Sequence, residues 1–309
     1  MFPNVSGTTQ RFLADLSRNE TEMQQTVGQI SSGLRVQQPS DDPAAIMVIL
    51  ESQASIAHNQ QIQSNLGSVK TEVSTADSAL QSAVQAVESA ISMAAQGGTA
   101  TATTATRAAL SIQVQGLLAS LVGISQTNIN GNYIFSGDEN APPYQLDPTS
   151  PTGVKQLVNS TATRVIQAPD GTTFAVAKTA ADIFDARNPD GTPAANNVFA
   201  ALNSLITALN DPTANAQNEV LAASDALKTA DTYLNSQLAF YGDVENRVQS
   251  GIDLAQKFLT QQKTQLSGVR DADIASLSVQ LNQEQVQEQA SMSAEASIQQ
   301  LKNLFNYLA

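Results

Sequence analysis

The chain has 309 residues, a net charge of −13 and a pI near 4.3, and it contains no cysteine and one histidine, His58. This acidic balance argues against a nucleic-acid partner, which would need a basic surface. Without cysteine the chain has no disulfide, no thiolate metal site and no cysteine nucleophile. A single histidine excludes a histidine metal cluster, and we expect His58 to be an ordinary residue on a helix surface. The composition predicts a protein that is not an enzyme and binds no cofactor or metal.

Targeting signals are also missing from the sequence. It has no uninterrupted run of about 18 apolar residues, so we expect no membrane insertion. The opening residues Met1–Val5 lack the basic segment and the following apolar segment of a secretory signal. Taken alone, these features are typical of a cytoplasmic protein.

Both ends of the chain carry a narrow apolar stripe at helical spacing. The N-terminal stripe consists of Leu13, Leu16, Met23, Val27, Ile30 and Leu34, and the C-terminal stripe consists of Ile298, Leu301, Leu304, Phe305 and Leu308. A helix with such a stripe is marginal alone in water and gains stability by burying it. We predict that these residues form an assembly interface, in which the arms pair with neighbouring copies or, alternatively, with each other.

A short connector follows the first predicted helix, which runs from about Ser6 to Ser32. Gly33 is a natural residue to end that helix. The connector itself contains Pro39, Ser40, Asp41, Asp42 and Pro43. Asp42 places a capping carboxylate before a proline at the first helical position, and Asp41 adds negative charge where the helix dipole favours it. Metal binding by these carboxylates is the weaker alternative, because no calcium-binding loop surrounds them.

Long heptad repeats predict the body of the molecule. A helix from Pro43 to about Gln96 keeps its apolar residues in alternating steps of four and three from Ile62 to Ala94. A second long helix, roughly 214–266, has a similar seam. A sustained repeat of 3.5 residues is typical of a coiled coil. We predict that these two helices pair antiparallel within one chain.

The sequence between the two helical halves differs from them in composition and in its hydrophobic pattern. Residues 132–196 hold short β-like runs, of which Arg164–Gln167 and Phe174–Ala177 flank a turn at Pro169–Thr172. The predicted fold is mainly α, a long antiparallel coiled-coil helical rod formed by the N- and C-terminal halves, with a small β-rich insert domain at one end. Its segments are an N-terminal assembly arm (1–42), rod helices (43–131), the insert (132–196), further rod helices (197–268) and a C-terminal assembly arm (269–309).

Several motifs of the chain resemble those of one known family. Ser32–Val36 followed by Pro39–Ala44 resembles the N-terminal signature of the bacterial flagellins and their relatives at the hook–filament junction. The Pro-Ser-Asp-Asp-Pro form is closer to the junction members. At the other end, Asp271–Ala275 is similar to a motif of the whole family, and Leu304–Leu308 is similar to the end of the junction members.

The most specific resemblance is the stretch Gly131–Gly137, with the sequence Gly-Asn-Tyr-Ile-Phe-Ser-Gly. It looks like the start of the insert domain in the junction members of the family. By this resemblance, Tyr133, Phe135 and Gly137 mark the point where the chain enters its insert.

The resemblance implies a structural protein whose terminal arms fold and self-assemble together, forming a ring or short helical layer that joins hook to filament. The implied partners are other copies of the chain, a neighbouring hook-associated protein, filament flagellin, and a cytoplasmic export chaperone that binds the C-terminal arm. Export would pass through the flagellar type III channel without a cleavable signal peptide, to an extracellular position at the hook–filament junction. The alternatives are a filament-forming flagellin, a secreted hydrolase with a helical stalk, and an adhesin or coiled-coil spacer.

Overall fold

A computed structural model describes residues 7–213 and 215–307, and within them the side chains of 10–213 and 215–297. The chain divides into two compact units. The first combines Met1–Asn59 with Lys257–Ala309, and the second is the continuous stretch Gln60–Gln256. The first unit therefore combines the N-terminal and C-terminal segments of the chain.

Seven helices and six short strands make up the described part of the chain. The helices are α1 (Gly7–Ser32), α2 (Pro43–Gly97), α3 (Thr104–Ser125), α4 (Ala180–Phe184), α5 (Val198–Asn210), α6 (Ala216–Arg270) and α7 (Ile274–Tyr307). The strands are β1 (Asn128–Ile129), β2 (Asn132–Tyr133), β3 (Tyr144–Leu146), β4 (Val154–Gln156), β5 (Val165–Gln167) and β6 (Thr173–Ala175).

The two long helices α2 and α6 run antiparallel in the second unit. The Lys70 ammonium donates to the Gln249 side chain at 2.7 Å, and the Gln63 amide donates to that of Gln256 at 3.0 Å. From Gln63 to Lys70 the position advances by seven residues along α2, while its contact partner on α6 shifts back by seven, from Gln256 to Gln249. Between these polar contacts the heptad positions of both helices are buried, as in a coiled coil. The prediction of a mainly α fold with antiparallel halves and a small strand-containing insert is confirmed.

The strands form three separate antiparallel pairs, β1–β2, β3–β4 and β5–β6. The predicted hairpin around Gly171 is the pair β5–β6, in which Ile166 lies opposite Phe174. The insert does not have a core of its own, because Phe135, Tyr144 and Phe174 belong to the same buried cluster as the residues of α2 and α6. A two-stranded pair is too small to be stable alone, so the helices supply the apolar surface that these hairpins need.

A buried polar group organises the aromatic part of this core. The Asp185 carboxylate accepts hydrogen bonds from Tyr144 Oη at 3.1 Å and Asn197 Nδ2 at 2.7 Å, and it pairs with Arg187 at 2.8 Å. Burial, together with the neighbouring Asp185 charge, raises the pKa of Tyr144 well above its ordinary value. Each polar atom that this network takes out of water therefore has a partner, which keeps the cost of its burial low.

Within the described residues, α3 is the one helix of sufficient length and apolar composition to cross a membrane. Its apolar residues do not form one uninterrupted run, so the sequence pattern does not mark it as a membrane span. Leu110, Val114 and Leu121 of this helix are buried in the core of the second unit, and α3 packs against α5. One side of this apolar helix is therefore buried inside the protein, while Ile112 on another side is exposed.

Candidate assembly interface

The first unit contains the connector and both terminal helices. A small apolar cluster of Val36, Ala45, Ile49 and Leu266 joins the connector to the start of α2 and the end of α6. Gly33 ends α1 with φ of +71°, a left-handed conformation that glycine adopts without steric cost. These features fix the position at which the chain leaves one helix and enters the next.

The two adjacent carboxylates of the connector hold the backbone in different ways. Asp41 Oδ2 accepts the backbone N–H groups of Gln37 and Gln38, both at 2.9 Å. Asp42 Oδ1 accepts the backbone N–H of Ala45 at 3.0 Å, which is the capping contact expected at the start of a helix. These backbone hydrogen bonds hold the pKa of each carboxyl below its usual value, with Arg35 as a second cause at Asp42.

Arg35 ties the connector to the end of α6, a role that the sequence analysis did not assign. Its guanidinium donates to the Val269 carbonyl oxygen at 2.7 Å and 3.2 Å, and it pairs with Asp42 at 3.0 Å. Its backbone N–H donates to the Arg270 carbonyl oxygen at 2.8 Å. Carbonyl groups in the last turn of a helix have no partner inside that helix, so Arg35 satisfies them. The sequence feature that could have indicated this role of Arg35 is the Ser-Gly-Leu-Arg-Val motif at residues 32–36.

A second contact joins the residues that follow α1 to the residues that precede α7. Leu34 and Asp271 form an antiparallel β-bridge, and the Ala272 N–H donates to the Gly33 carbonyl oxygen at 3.0 Å. The end of α1 is therefore held beside the start of α7. Leu34, a member of the predicted N-terminal stripe, takes part in this bridge through its backbone.

The helices α1 and α7 pack against each other, but this contact covers only part of the N-terminal stripe. Leu16, Met23 and Ile30 are half-buried, whereas Leu13 is 53% exposed and Val27 is 48% exposed. In the single chain the six predicted residues thus separate into a partly covered group and an outward group.

Polar side chains occupy the middle of the α1–α7 contact. Thr26 Oγ1 donates to Glu284 Oε1 at 3.2 Å, and Asn19 Nδ2 donates to the Glu284 carbonyl oxygen at 3.3 Å. Gln280 also donates to Glu284 Oε1, at 2.8 Å, and Glu284 Oε2 is buried without a hydrogen-bond partner among the described residues. Sequence patterns based on apolar spacing could not find these residues, because none of them is apolar.

The C-terminal stripe lies at the edge of what the structure describes. Ile298, Leu301, Leu304 and Phe305 fall within α7, but their side chains are outside the described set. Leu308 lies outside the described residues altogether. Their place in an assembly interface stays a prediction.

The residues at the start of the insert have structural roles. Phe135 is fully buried and makes edge-to-face contacts with Phe184 and Tyr241. Tyr133 belongs to β2 and is half-buried. Gly137 has φ of +69°, and a Cβ atom at this position would clash with the Ser160 side chain, so only glycine fits there.

The described residues hold no ready-made metal site. No cluster of three or more histidine, aspartate or glutamate side chains that could hold a metal ion was found among residues 7–213 and 215–307. His58 is exposed on α2, as expected for a residue on a helix surface.

Comparison with known proteins places the chain in a family. The model of the bacterial flagellin N-terminal helical region matches residues 4–140, and that of the C-terminal helical region matches residues 224–308. These segments hold α1, α2 and α3 at one end and most of α6, with α7, at the other. The chain belongs to the bacterial flagellin family.

Within this family the chain is similar to flagellar hook-associated protein 3. It is 28% identical to that protein of Escherichia coli, over 85% of this chain and 86% of the relative. It is 30% identical to the Salmonella typhimurium protein, over 69% of this chain and 68% of the relative. The crystal structure of hook-associated protein 3 from Legionella pneumophila has the same fold, with a TM-score of 0.60 and 14% identity, covering 72% of this chain and 98% of that one.

Proposed function

We propose that this chain is a structural subunit of the bacterial flagellum that connects hook to filament, through coupled folding and self-assembly of its terminal helical arms. Its membership of the flagellin family and its similarity to hook-associated protein 3 over most of both chains support this function. The observation that carries the mechanism is the incomplete cover of the terminal helices. Apolar side chains on both, among them Val27 of α1 and Val286 of α7, stay exposed in a single chain.

Assembly would cover these side chains. Burying one large apolar side chain contributes about 1.5–3 kcal/mol before the entropy of ordering is subtracted. Repeated over several positions and over every subunit of a closed layer, this gain makes a strong joint. The same surfaces are too small to hold one isolated copy tightly to another, because association itself costs several kcal/mol.

The proposed subunit has further partners and a defined place of action. The subunits would form a ring or short layer between a neighbouring hook-associated protein and filament flagellin. Before export, a cytoplasmic chaperone would cover the C-terminal arm, and the chain would leave through the flagellar export channel without a cleaved signal peptide. No catalytic residue, cofactor, nucleic acid or membrane insertion is needed for this role.

The test of this proposal is a double substitution in the C-terminal stripe, Leu301→Asp with Phe305→Asp. Two carboxylates at apolar contact positions would have to be buried without partners, so we expect a soluble and helical subunit that no longer joins hook to filament. The measurement is swimming motility in a strain that lacks its own copy. The control, Gln299→Asp with Asn303→Asp, adds the same charge at polar positions off the stripe and should keep motility. Full motility of the stripe variant would refute the role of the arm.

A filament-forming flagellin is the second candidate, because the matching family models describe flagellins. Electron microscopy separates the two functions. A flagellin seeded with filament fragments would grow long filaments, whereas a junction subunit should stop at a short layer.

A further inference from the structure

The side of α7 that faces away from α1 has an unusual composition. Between Ile274 and Ser297 the charged residues of α7 are Glu284, Glu288 and Glu295, and each of them is buried or half-buried. Their spacing of four and seven places them on the face where Glu284 contacts α1. The outward face therefore has no charge, although solvent-facing helix surfaces ordinarily hold the charged residues. This reversal indicates that another protein surface covers the outward face once the subunit is assembled.

The outward face of α7 has the shape that a helix needs in order to dock. Its residues are Val279, Asn282, Gln283, Val286, Gln287 and Ala290, which together line a shallow groove. They form two successive diamonds at spacings of three, four and seven, the arrangement that receives a side chain of a facing helix in a coiled coil. Val279 is 58% exposed and Val286 is 66% exposed, so this α7 outer face has no partner within the described chain.

A matching row of side chains lies at the start of α2, in the same compact unit. Met47, Leu50, Ala54 and Ala57 follow one another in steps of three, four and three, which is the spacing of a coiled-coil seam. All four are exposed, Met47 by 76% and Leu50 by 60%. The opposite side of this helix already fills the cluster with Val36 and Leu266. The α2 outer face, defined by these four residues, is therefore free to contact another molecule.

Dimensions and charge fit the two faces to each other. Each extends for about 15 Å along its helix, because the two faces span eleven and twelve residues at a rise of about 1.5 Å per residue. Met47 and Leu50 are large enough to fill the two diamonds of the α7 outer face, while Ala54 and Ala57 allow close approach. Copies with a charge of −13 repel one another, and this repulsion is weakest where both facing surfaces lack carboxylates. On the exposed N-terminal part of α2 the nearest charge, Glu51, lies beside the row and not in it.

The exposed apolar residues of α1 are a poorer match for the α7 outer face. Leu13 and Val27 are separated by fourteen positions, and Glu20 lies midway between them on the same side of the helix. A facing helix would have to bury this carboxylate, which is costly without a partner. The α2 row has no such interruption.

We infer that the α2 outer face of one copy docks into the α7 outer face of a second copy of this chain. The inference rests on the proposed assembly function and identifies which surfaces meet. Because the two faces differ, the contact is head-to-tail, so a row of copies keeps a free α2 outer face at one end and a free α7 outer face at the other. Such a contact continues until the layer closes.

Cysteine cross-linking in assembled flagella tests the inference, because the native chain has no cysteine to interfere. The main variant combines Leu50→Cys with Val286→Cys in the full chain, expressed in cells without their own copy. On oxidation of isolated flagella we expect a ladder of covalent oligomers. Either single variant should stay monomeric, and co-expression of the two single variants should give dimers and nothing longer. In the matched control Met292→Cys replaces Val286→Cys, at a position that is also exposed but lies off the groove, and no ladder should form.

Two outcomes would overturn the inference. Dimers from either single variant alone would show that like faces meet like faces. A motile strain whose double variant stays monomeric on oxidation would show that these faces do not meet, while leaving the junction function intact. The function itself fails on a separate result, the motility of the stripe variant Leu301→Asp with Phe305→Asp.

Discussion

At the scale of single residues, the connector shows how a few hydrogen bonds replace regular structure. Asp42 satisfies an N–H group at the start of α2, and Arg35 satisfies carbonyl groups at the end of α6. The pair Arg35–Asp42 then joins these two roles at 3.0 Å. Neither residue is deeply buried, so the value of the contact lies in satisfying helix ends more than in the attraction between charges.

Asp42→Ala should lower the melting temperature by a few degrees at neutral pH, because it removes a helix cap and the partner of Arg35. The backbone N–H of Ala45, followed by Arg35, lowers the pKa of Asp42 in the folded chain from its ordinary 3.8. A lowered pKa means that the carboxylate stabilises the fold above pH 3.8, and that this contribution is lost as the pH falls through the folded value.

Thermal melting of the Asp42→Ala variant and the unchanged chain between pH 3 and pH 7 measures this effect. The difference between them should be largest near neutral pH and should close in acid. Ser40→Ala, at an exposed neighbour in the connector, is the control and should follow the unchanged chain at every pH. A difference that stays constant down to pH 3 would contradict the assignment to the carboxylate.

At the scale of elements, the pairing of α1 with α7 divides one apolar stripe between two tasks. The half-buried Leu16 and Ile30 belong to the contact inside the chain, whereas Leu13 and Val27 are left for contacts outside it. Glu284 in the middle of the contact limits how tightly the two helices hold each other, because one of its oxygens has no partner within the described structure. A loosely held pair is suited to adjusting when neighbouring subunits arrive.

This division predicts that two matched double variants of α1 differ in their sensitivity to proteolysis. Leu16→Asp with Ile30→Asp should open the α1–α7 contact and raise the rate of proteolysis within α1 by about tenfold, since cleavage follows the population of the open form. Leu13→Asp with Val27→Asp should leave that rate unchanged but abolish motility. Limited proteolysis of the full chain and a motility assay measure the two effects. Similar behaviour of both variants in both assays would refute the division.

At the scale of the whole molecule, the two units differ in the size of their apolar cores and therefore in their expected stability. The second unit has one continuous core that unites the seams of α2 and α6 with the aromatic residues of the insert. Among its described residues, the first unit has a small cluster of four buried apolar side chains, together with the buried Leu259 and the partly covered terminal helices. Because stability grows with buried apolar surface, the second unit should be the more stable of the two.

We expect a fragment of residues 60–256 to fold by itself, because it contains this whole core. It should be helical by circular dichroism and melt in one cooperative transition. Phe135→Ala in the same fragment should lower the melting temperature by about 10 °C, since removing a buried phenylalanine costs about 3–5 kcal/mol. A gradual, non-cooperative melt of the unchanged fragment would show that the unit depends on the terminal segments.

The sequence by itself determined the elements. Heptad spacing located α2 and α6, the Gly33 stop and the Asp42–Pro43 start bounded the connector, and a turn motif located the hairpin β5–β6. These features are local, since they depend on which residues follow each other at a helical or strand repeat. The motifs at Gly131–Gly137 and in the connector also sufficed to identify the family.

Only the tertiary structure decided which surfaces are covered. It divided the N-terminal stripe, placed Thr26 against Glu284, and left the outer faces of α2 and α7 exposed. It also merged the insert with the helical core. The physical reason is that burial depends on which element lies opposite, and a repeat along the chain gives the direction of a side chain but not its neighbour.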